Sequence, residues 1–276
     1  MDKFRKLPDD EKERIEKERR FLSQLIKYYI DFDRVEYLIR DISNTGNFNI
    51  PFGIGGIFQN LGVERIHGIN QLCFLNRTFG ENFVLAREAM YASVYNDSRV
   101  ILSEEMLGRA WVDLYFSNLI KKDLYKLWFS TDFQIFEMLR ISELEFPKRV
   151  YNLLRSCRIY DMIEHKIFSD LDENLRQKLR ILNHDRRQIL KMEEECTDSL
   201  CDKRDLIVGI FVKKLPKEME AFFLDTDKKL RKLSESELIK PLALENYVNQ
   251  RSKLIIGVNG ELPKDLKDKL KKQVYD

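Results

Sequence analysis

Two stretches of the chain carry chemically capable side chains at helical spacing. In the first, Ile30-Asp31-Phe32-Asp33-Arg34-Val35-Glu36-Tyr37-Leu38-Ile39-Arg40-Asp41-Ile42, an advance of about 100° per residue gathers Asp33, Arg34, Tyr37, Arg40 and Asp41 within roughly 120° of arc. Val35, Leu38, Ile39 and Ile42 fill the opposite arc. The polar face offers two carboxylates as metal ligands, two guanidinium forks for phosphate and a phenol as donor to a sugar. The same face also reads as a solvated surface with ion pairs three or four residues apart. In the second stretch Arg87, Tyr91, Tyr95 and Ser98 recur at intervals of four, four and three. An arginine flanked by tyrosines can clamp phosphate and stack a base. Tyrosines in such a stripe equally pack into a neighbouring helix with their hydroxyls at the rim.

Side chains at these spacings need a helical frame. Eleven glycines, six prolines and 34% charged residues in 276 predict one over the first two thirds of the chain. A first helix opens at Leu7-Pro8-Asp9-Asp10-Glu11, with Ile15, Leu22, Leu25, Ile26 and Tyr29 following at helical spacing. Residues 45–56 hold four glycines and a proline in twelve positions, which predicts a loop with room for a strand. Helical patterns then run over 82–128, 132–140, 146–168 and 172–195. After Cys201 the texture changes. Residues 206–212, 221–224 and 254–258 are short β-branched and aromatic runs bounded by turn residues, predicting a small sheet. Leu262, Leu266, Leu270 and Val274 mark a closing amphipathic helix. The expected architecture is mainly α, with a helical core over 1–202 and a small α+β subdomain over 203–276.

Composition narrows the function classes. With 48 basic and 46 acidic residues the formal charge is +2, too small for a general electrostatic attraction to duplex DNA or an acidic membrane. No apolar run approaches the ~18 residues of a membrane span, and Met1-Asp2-Lys3-Phe4-Arg5-Lys6 lacks a signal peptide's apolar core, so a soluble cytoplasmic protein is expected. Cys73, Cys157, Cys196 and Cys201 do not form a disulfide framework. Cys196 and Cys201 beside Glu193, Glu194 and Glu195 resemble half a zinc site, but no second ligand pair follows, and chance proximity is the better reading. A basic stretch, Arg176, Lys178, Arg180, Arg186, Arg187 and Lys191, reads as a solvated helix face diluted by Asp172, Glu173 and Asp185; nucleic-acid binding is not favoured.

Taken together, the two stretches resemble a known family. Asp31-Phe32-Asp33-Arg34-Val35-Glu36-Tyr37-Leu38-Ile39-Arg40-Asp41 with Thr45-Gly46 is similar to the "D-x-D-R-x-D-Y-L-x-R-D…T-G" segment of HD-superfamily phosphohydrolases related to deoxynucleoside triphosphate triphosphohydrolases. Residues 85–95 resemble that family's "L-A-R-x-x-M-Y-x-x-V-Y" helix. Ser130-Thr131-Asp132 and residues 153–160 sit where the family has a "T-D" helix start and an "L-L-x-R-x-L-Y" helix.

The resemblance implies an HD-like helical bundle acting on a dNTP-like nucleotide. It implies a divalent metal (Mg, Mn, Fe or Zn) held by a histidine, a His-Asp pair and a later aspartate, and matched by position that aspartate is Asp33. Arg34 would approach phosphate, Tyr37 and Asp41 the ribose, and Arg87 and Tyr95 the phosphates and the sugar or base. The metal would activate water, and cationic side chains would stabilise charge on the phosphoryl group. None of the 32 residues before Asp33 is a histidine, however, so the metal site is incomplete and no catalytic residue is assigned. His67 borders the glycine-rich loop, His165 falls on an expected helix, and His184-Asp185 spells the family's emblem outside its pattern. Asn96-Asp97-Ser98 replaces the family's His-Lys pair and puts a carboxylate where positive charge is expected. Two expectations follow: a phosphohydrolase portion completed by a second chain in a homo- or hetero-oligomer, or an inactive nucleotide-binding or protein-interaction module.

Overall fold

Acids in the first turn favour a helix start because they meet the positive end of the helix dipole. Asp9, Asp10 and Glu11 open α1 (Asp9–Lys27), and Asp33 lies in the first turn of α2 (Phe32–Thr45). The computed structural model describes residues 8–27, 30, 32–46, 56, 59–66, 68–117, 130–198, 200–202 and 204–275. Tyr29, most of the glycine-rich loop, His67 and residues 118–128 of the helical pattern over 82–128 lie outside them. The fold is mainly α with small sheets, as the helical periodicity requires. No helix among the described residues is long and apolar enough to cross a membrane.

The chain divides into two compact units that interleave in sequence, 1–94 with 214–248 and 95–213 with 249–276. This division differs from the boundary read at residue 203. The strand after that point pairs within the second unit, whereas residues 214–248 belong with the first.

In the first unit, β1 (Leu61–Ile66) and β2 (Ile69–Phe74) form a hairpin that sequence reading did not mark. Its turn uses Gly68 at φ +79°, a left-handed conformation that glycine adopts without a Cβ clash. β5 (Phe222–Leu224) adds parallel to β2, and β6 (Leu230–Lys232) returns antiparallel, giving the order β1-β2-β5-β6. Buried Gln24 of α1 accepts from the Leu72 amide at 2.7 Å and donates to Gln71 Oε1 at 2.9 Å, fixing α1 against β2. On α3 (Arg77–Met90), capped by Asn76, Phe79 and Phe83 each put a ring 5.9 Å from that of Phe74. The helix runs into a π-helical turn, Tyr91–Tyr95.

The second unit is built on an antiparallel sheet, β3 (Asp161–Ile167), β7 (Lys253–Val258) and β4 (Leu206–Phe211), with β7 central. Alternate side chains of a strand face opposite ways. Leu254, Ile256 and Val258 pack with Val208 of β4 and with Leu179, Ile189 and Leu270, from α7 (Glu173–His184), α8 (Arg186–Thr197) and α9 (Lys264–Tyr275). Ile207 and Ile255 pack with Leu102, Met106, Leu139 and Val150, from α4 (Ser98–Phe116), α5 (Asp132–Arg140) and α6 (Glu145–Arg155). Helices on both faces explain the near-continuous apolar runs of β4 and β7.

The expected helix over 146–168 is corrected: α6 ends at Arg155 and residues 161–167 are β3. Cys157 at φ +54°, the Arg158 amide on Leu153 O at 2.8 Å and the Cys157 amide on Leu154 O at 3.0 Å make a Schellman ending without its usual glycine. His165 is therefore a strand residue. His184-Asp185 is a helix boundary, with Asp185 accepting from the Arg187 amide at 3.0 Å to cap α8.

Candidate functional site

The first unit brings three of the expected residues together around a fourth that sequence reading missed. α2 buries Val35, Leu38 and Ile42 and so turns Arg34 and Tyr37 towards α3 and the short 3-10 turn Lys217–Glu220. Glu218 on that turn is 0% exposed. Its Oε1 lies 2.5 Å from Arg34 Nη1 and its Oε2 3.1 Å from Arg87 Nη1. Two guanidinium groups from different helices thus share one carboxylate. The Arg87 guanidinium also covers the Tyr91 ring at 4.3 Å, the geometry of a cation–π contact.

Glu88, buried next to Arg87, places Oε1 3.6 Å from Arg87 Nη1 and accepts from the Tyr247 hydroxyl at 2.9 Å. The Tyr37 and Tyr91 side chains are hydrogen-bonded. Burial, then the neighbouring Tyr91, pushes the Tyr37 phenol up to about 12 against the opposing pull of Arg87. Formally, the positive charges of Arg34 and Arg87 balance the carboxylates of Glu88 and Glu218.

The other expected residues are placed differently. Asp33 is exposed at the start of α2. Asp41 bonds to Arg40 Nε at 3.3 Å, and Arg40 pairs with Glu36 at 3.0 Å, the surface ion-pair pattern that the spacing also allowed. Tyr95 closes the π-helical turn, the rarer helical geometry that often occurs at functional positions, and is the first residue of the second unit. Asp97 is accounted for locally: it caps α4, accepting from the Arg99 amide at 2.9 Å and Arg99 Nε at 3.1 Å. Burial works against its charge, but those bonds outweigh it and hold the carboxyl below its ordinary range.

The donor set does not make a metal centre by itself. Among the described residues no three His, Cys, Asp or Glu side chains gather closely enough to hold an ion. Glu193, near the cysteines whose proximity is better read as chance, is buried against Arg109. Three of the six residues of the basic stretch are engaged in ion pairs, Arg176 with Glu173, Arg186 with Glu105 and Lys191 with Glu195.

Residues 78–275 match the family model described as "HD associated region". The chain belongs to that family. As an HD-associated region it is 26% identical over 226 residues to the uncharacterised protein MJ1154 of Methanocaldococcus jannaschii, covering 80% of this chain and 46% of that protein. It is 27% identical over 208 residues to the uncharacterised protein MG461 of Mycoplasma genitalium, covering 74% and 48% respectively. It spans about half the length of these two relatives. Among solved structures it resembles a phosphohydrolase, BT4208, of Bacteroides thetaiotaomicron, with a TM-score of 0.61 and 17% identity over 87% of this chain and 64% of that one. At that identity the likeness establishes the fold.

Proposed function

We propose that this HD-associated region forms the phosphate- and nucleotide-facing wall of an HD-type phosphohydrolase site for dNTP-like substrates. The observation that carries this reading is the convergence of Arg34 and Arg87 on one spot, with Tyr37 and Tyr91 beside them. Guanidinium groups bind phosphate oxygens through paired N–H donors, and their charge offsets the negative charge that develops as a phosphoryl group transfers. The tyrosine pair supplies ring faces and hydroxyls for a base or sugar. Asp41 and Tyr95 are proposed as further ribose and base contacts, and Asp33 as one ligand of a divalent metal. The remaining ligands, a histidine and a His-Asp pair, would come from a second chain that carries the histidine-bearing half, or from a segment outside this sequence, and association as a homo- or hetero-oligomer is part of this reading.

A second reading is an inactive nucleotide-binding or interaction module. It is favoured by Glu88 and Glu218, which balance the two arginines and reduce the attraction available to a triphosphate. A panel of deoxynucleoside triphosphates with manganese, assayed for triphosphate release, separates the readings. The first expects turnover once a His-Asp chain is added, and its loss in Asp33→Ala. Saturable nucleotide binding abolished by Tyr37→Ala, with no turnover under either condition, supports the second.

A further inference from the structure

We infer that Glu218 is a positioning residue, holding Arg34 and Arg87 in a single fork that presents both guanidinium groups to an anionic ligand. This rests on the phosphate-facing reading of the site. Exposure decides between a positioning and an occluding role. Glu218 is 0% exposed, whereas the side chains of Arg34 and Arg87 are 25% and 14% exposed. A ligand approaching from solvent meets the guanidinium groups, and the carboxylate stands behind them.

The backbone on each side of Glu218 is fixed. The Met219 amide donates to Pro216 O at 3.2 Å and the Ala221 amide to Glu218 O at 3.0 Å. The next residue enters β5, which is paired with β2 and β6. The Leu233 amide donates to Ala221 O at 2.9 Å, closing the segment from the other side. A carboxylate anchored in this way pins Arg34 at one end and Arg87 at Nη1, while the Tyr91 ring holds the Arg87 plane. Arg87 Nε and Glu218 Oε2 are both buried without a hydrogen-bond partner, so the 3.1 Å approach of Arg87 Nη1 to Glu218 Oε2 holds this guanidinium as an ion pair and not through a directed bond. Without the carboxylate, two like charges that shared one counter-ion would repel and splay apart.

The test uses the full chain as wild type, Glu218→Gln and Glu218→Asp. Inorganic tripolyphosphate binding is measured by calorimetry, and guanidinium Nε–H signals by nitrogen-15 NMR. The expected result is a loss of affinity of about tenfold or more in Glu218→Gln, partly recovered in Glu218→Asp. The Arg34 and Arg87 signals should move towards the free-arginine position in Glu218→Gln while backbone signals of β2 and β5 stay in place. Equal or tighter binding by Glu218→Gln, or unmoved guanidinium signals, overturns the inference; tighter binding would make Glu218 an occluding group. If Glu218→Gln does not fold, the guanidinium signals of Glu218→Asp decide, since a carboxylate one methylene shorter can hold only one of the two arginines. Absence of tripolyphosphate binding by the wild type would overturn the phosphate-facing reading itself, and the guanidinium signals would still decide whether Glu218 orients the pair.

Discussion

Arg109 and Glu193 meet inside the second unit through two parallel bonds, Nε to Oε2 at 3.0 Å and Nη2 to Oε1 at 2.8 Å. Glu193 Oε1 also accepts from the Val208 amide at 2.8 Å. Among the described residues β4 is an edge strand, paired with β7 on one side, so this carboxylate caps a ladder donor that would otherwise be buried and open. Arg109 is further held by Glu105 at 2.8 Å, and Glu105 reaches Arg186 at 3.1 Å.

Glu193→Leu should lower unfolding free energy by about 3–5 kcal/mol, because it takes one of two carboxylate partners from a buried guanidinium, leaving it Glu105, and opens the Val208 amide. Adding Arg109→Leu should recover about half of that loss and leave about 1–3 kcal/mol, the cost of the open Val208 amide. Urea unfolding of the single and double variants checks both numbers. A double variant no more stable than the single would show that the charge is not the main term.

Cys157 occupies the left-handed position that ends α6, and its side chain is exposed. Cys157→Gly removes the Cβ strain and leaves packing untouched, so stability should rise by about 0.5–1 kcal/mol. Thermal unfolding is the measurement, and a fall in midpoint would contradict the backbone assignment.

Glu164 lies 2.9 Å from Lys271 Nζ. Burial raises its carboxyl, but the Lys271 ammonium and the Tyr275 hydroxyl outweigh that and hold it below the usual carboxylate range. A depressed folded-state pKa contributes stability in full above the unfolded value of about 4.3, and loses it as pH falls through the folded value. Glu164→Gln should therefore cost about 1 kcal/mol at neutral pH, and the gap should close on acidification below the unfolded pKa. Unfolding curves of both proteins between neutral and acid pH test this, and a pH-independent gap would refute it.

On the proposed function, Arg87→Met should weaken tripolyphosphate binding by about 1.5–3 kcal/mol, the range for a hydrogen bond to a charged group. Arg87→Lys should rescue little, because an ammonium neither stacks flat on Tyr91 nor forks to two oxygens. Calorimetry reads both, and full rescue by lysine would reduce the role of Arg87 to simple charge.

Much of the helical frame was legible because it obeys periodicity. The face of α2 that carries Val35, Leu38 and Ile42 is buried as the spacing required, and the expected helix over 132–140 is found as α5. The failures have identifiable causes. Nothing at Cys157 announces a left-handed residue, so the pattern over 146–168 ran through it into β3. The capping role of Asp97 was not legible either, because a helix cap looks the same in sequence as any other acid. Glu218 was invisible for a different reason. It reaches Arg34 across 184 residues, and a glutamate between Lys217 and Met219 carries no signal of its partner.

Strand order has a consequence for synthesis. β3 and β4 do not pair with each other, since each hydrogen-bonds to β7, which is the last strand in the chain. While the polypeptide is still emerging from the ribosome, both therefore wait with open ladders and apolar faces, and Arg34 and Arg87 wait for Glu218. The first unit cannot close before the turn that carries Glu218 has been translated, nor the second before β7, so the nascent protein spends those intervals in the state most prone to wrong association.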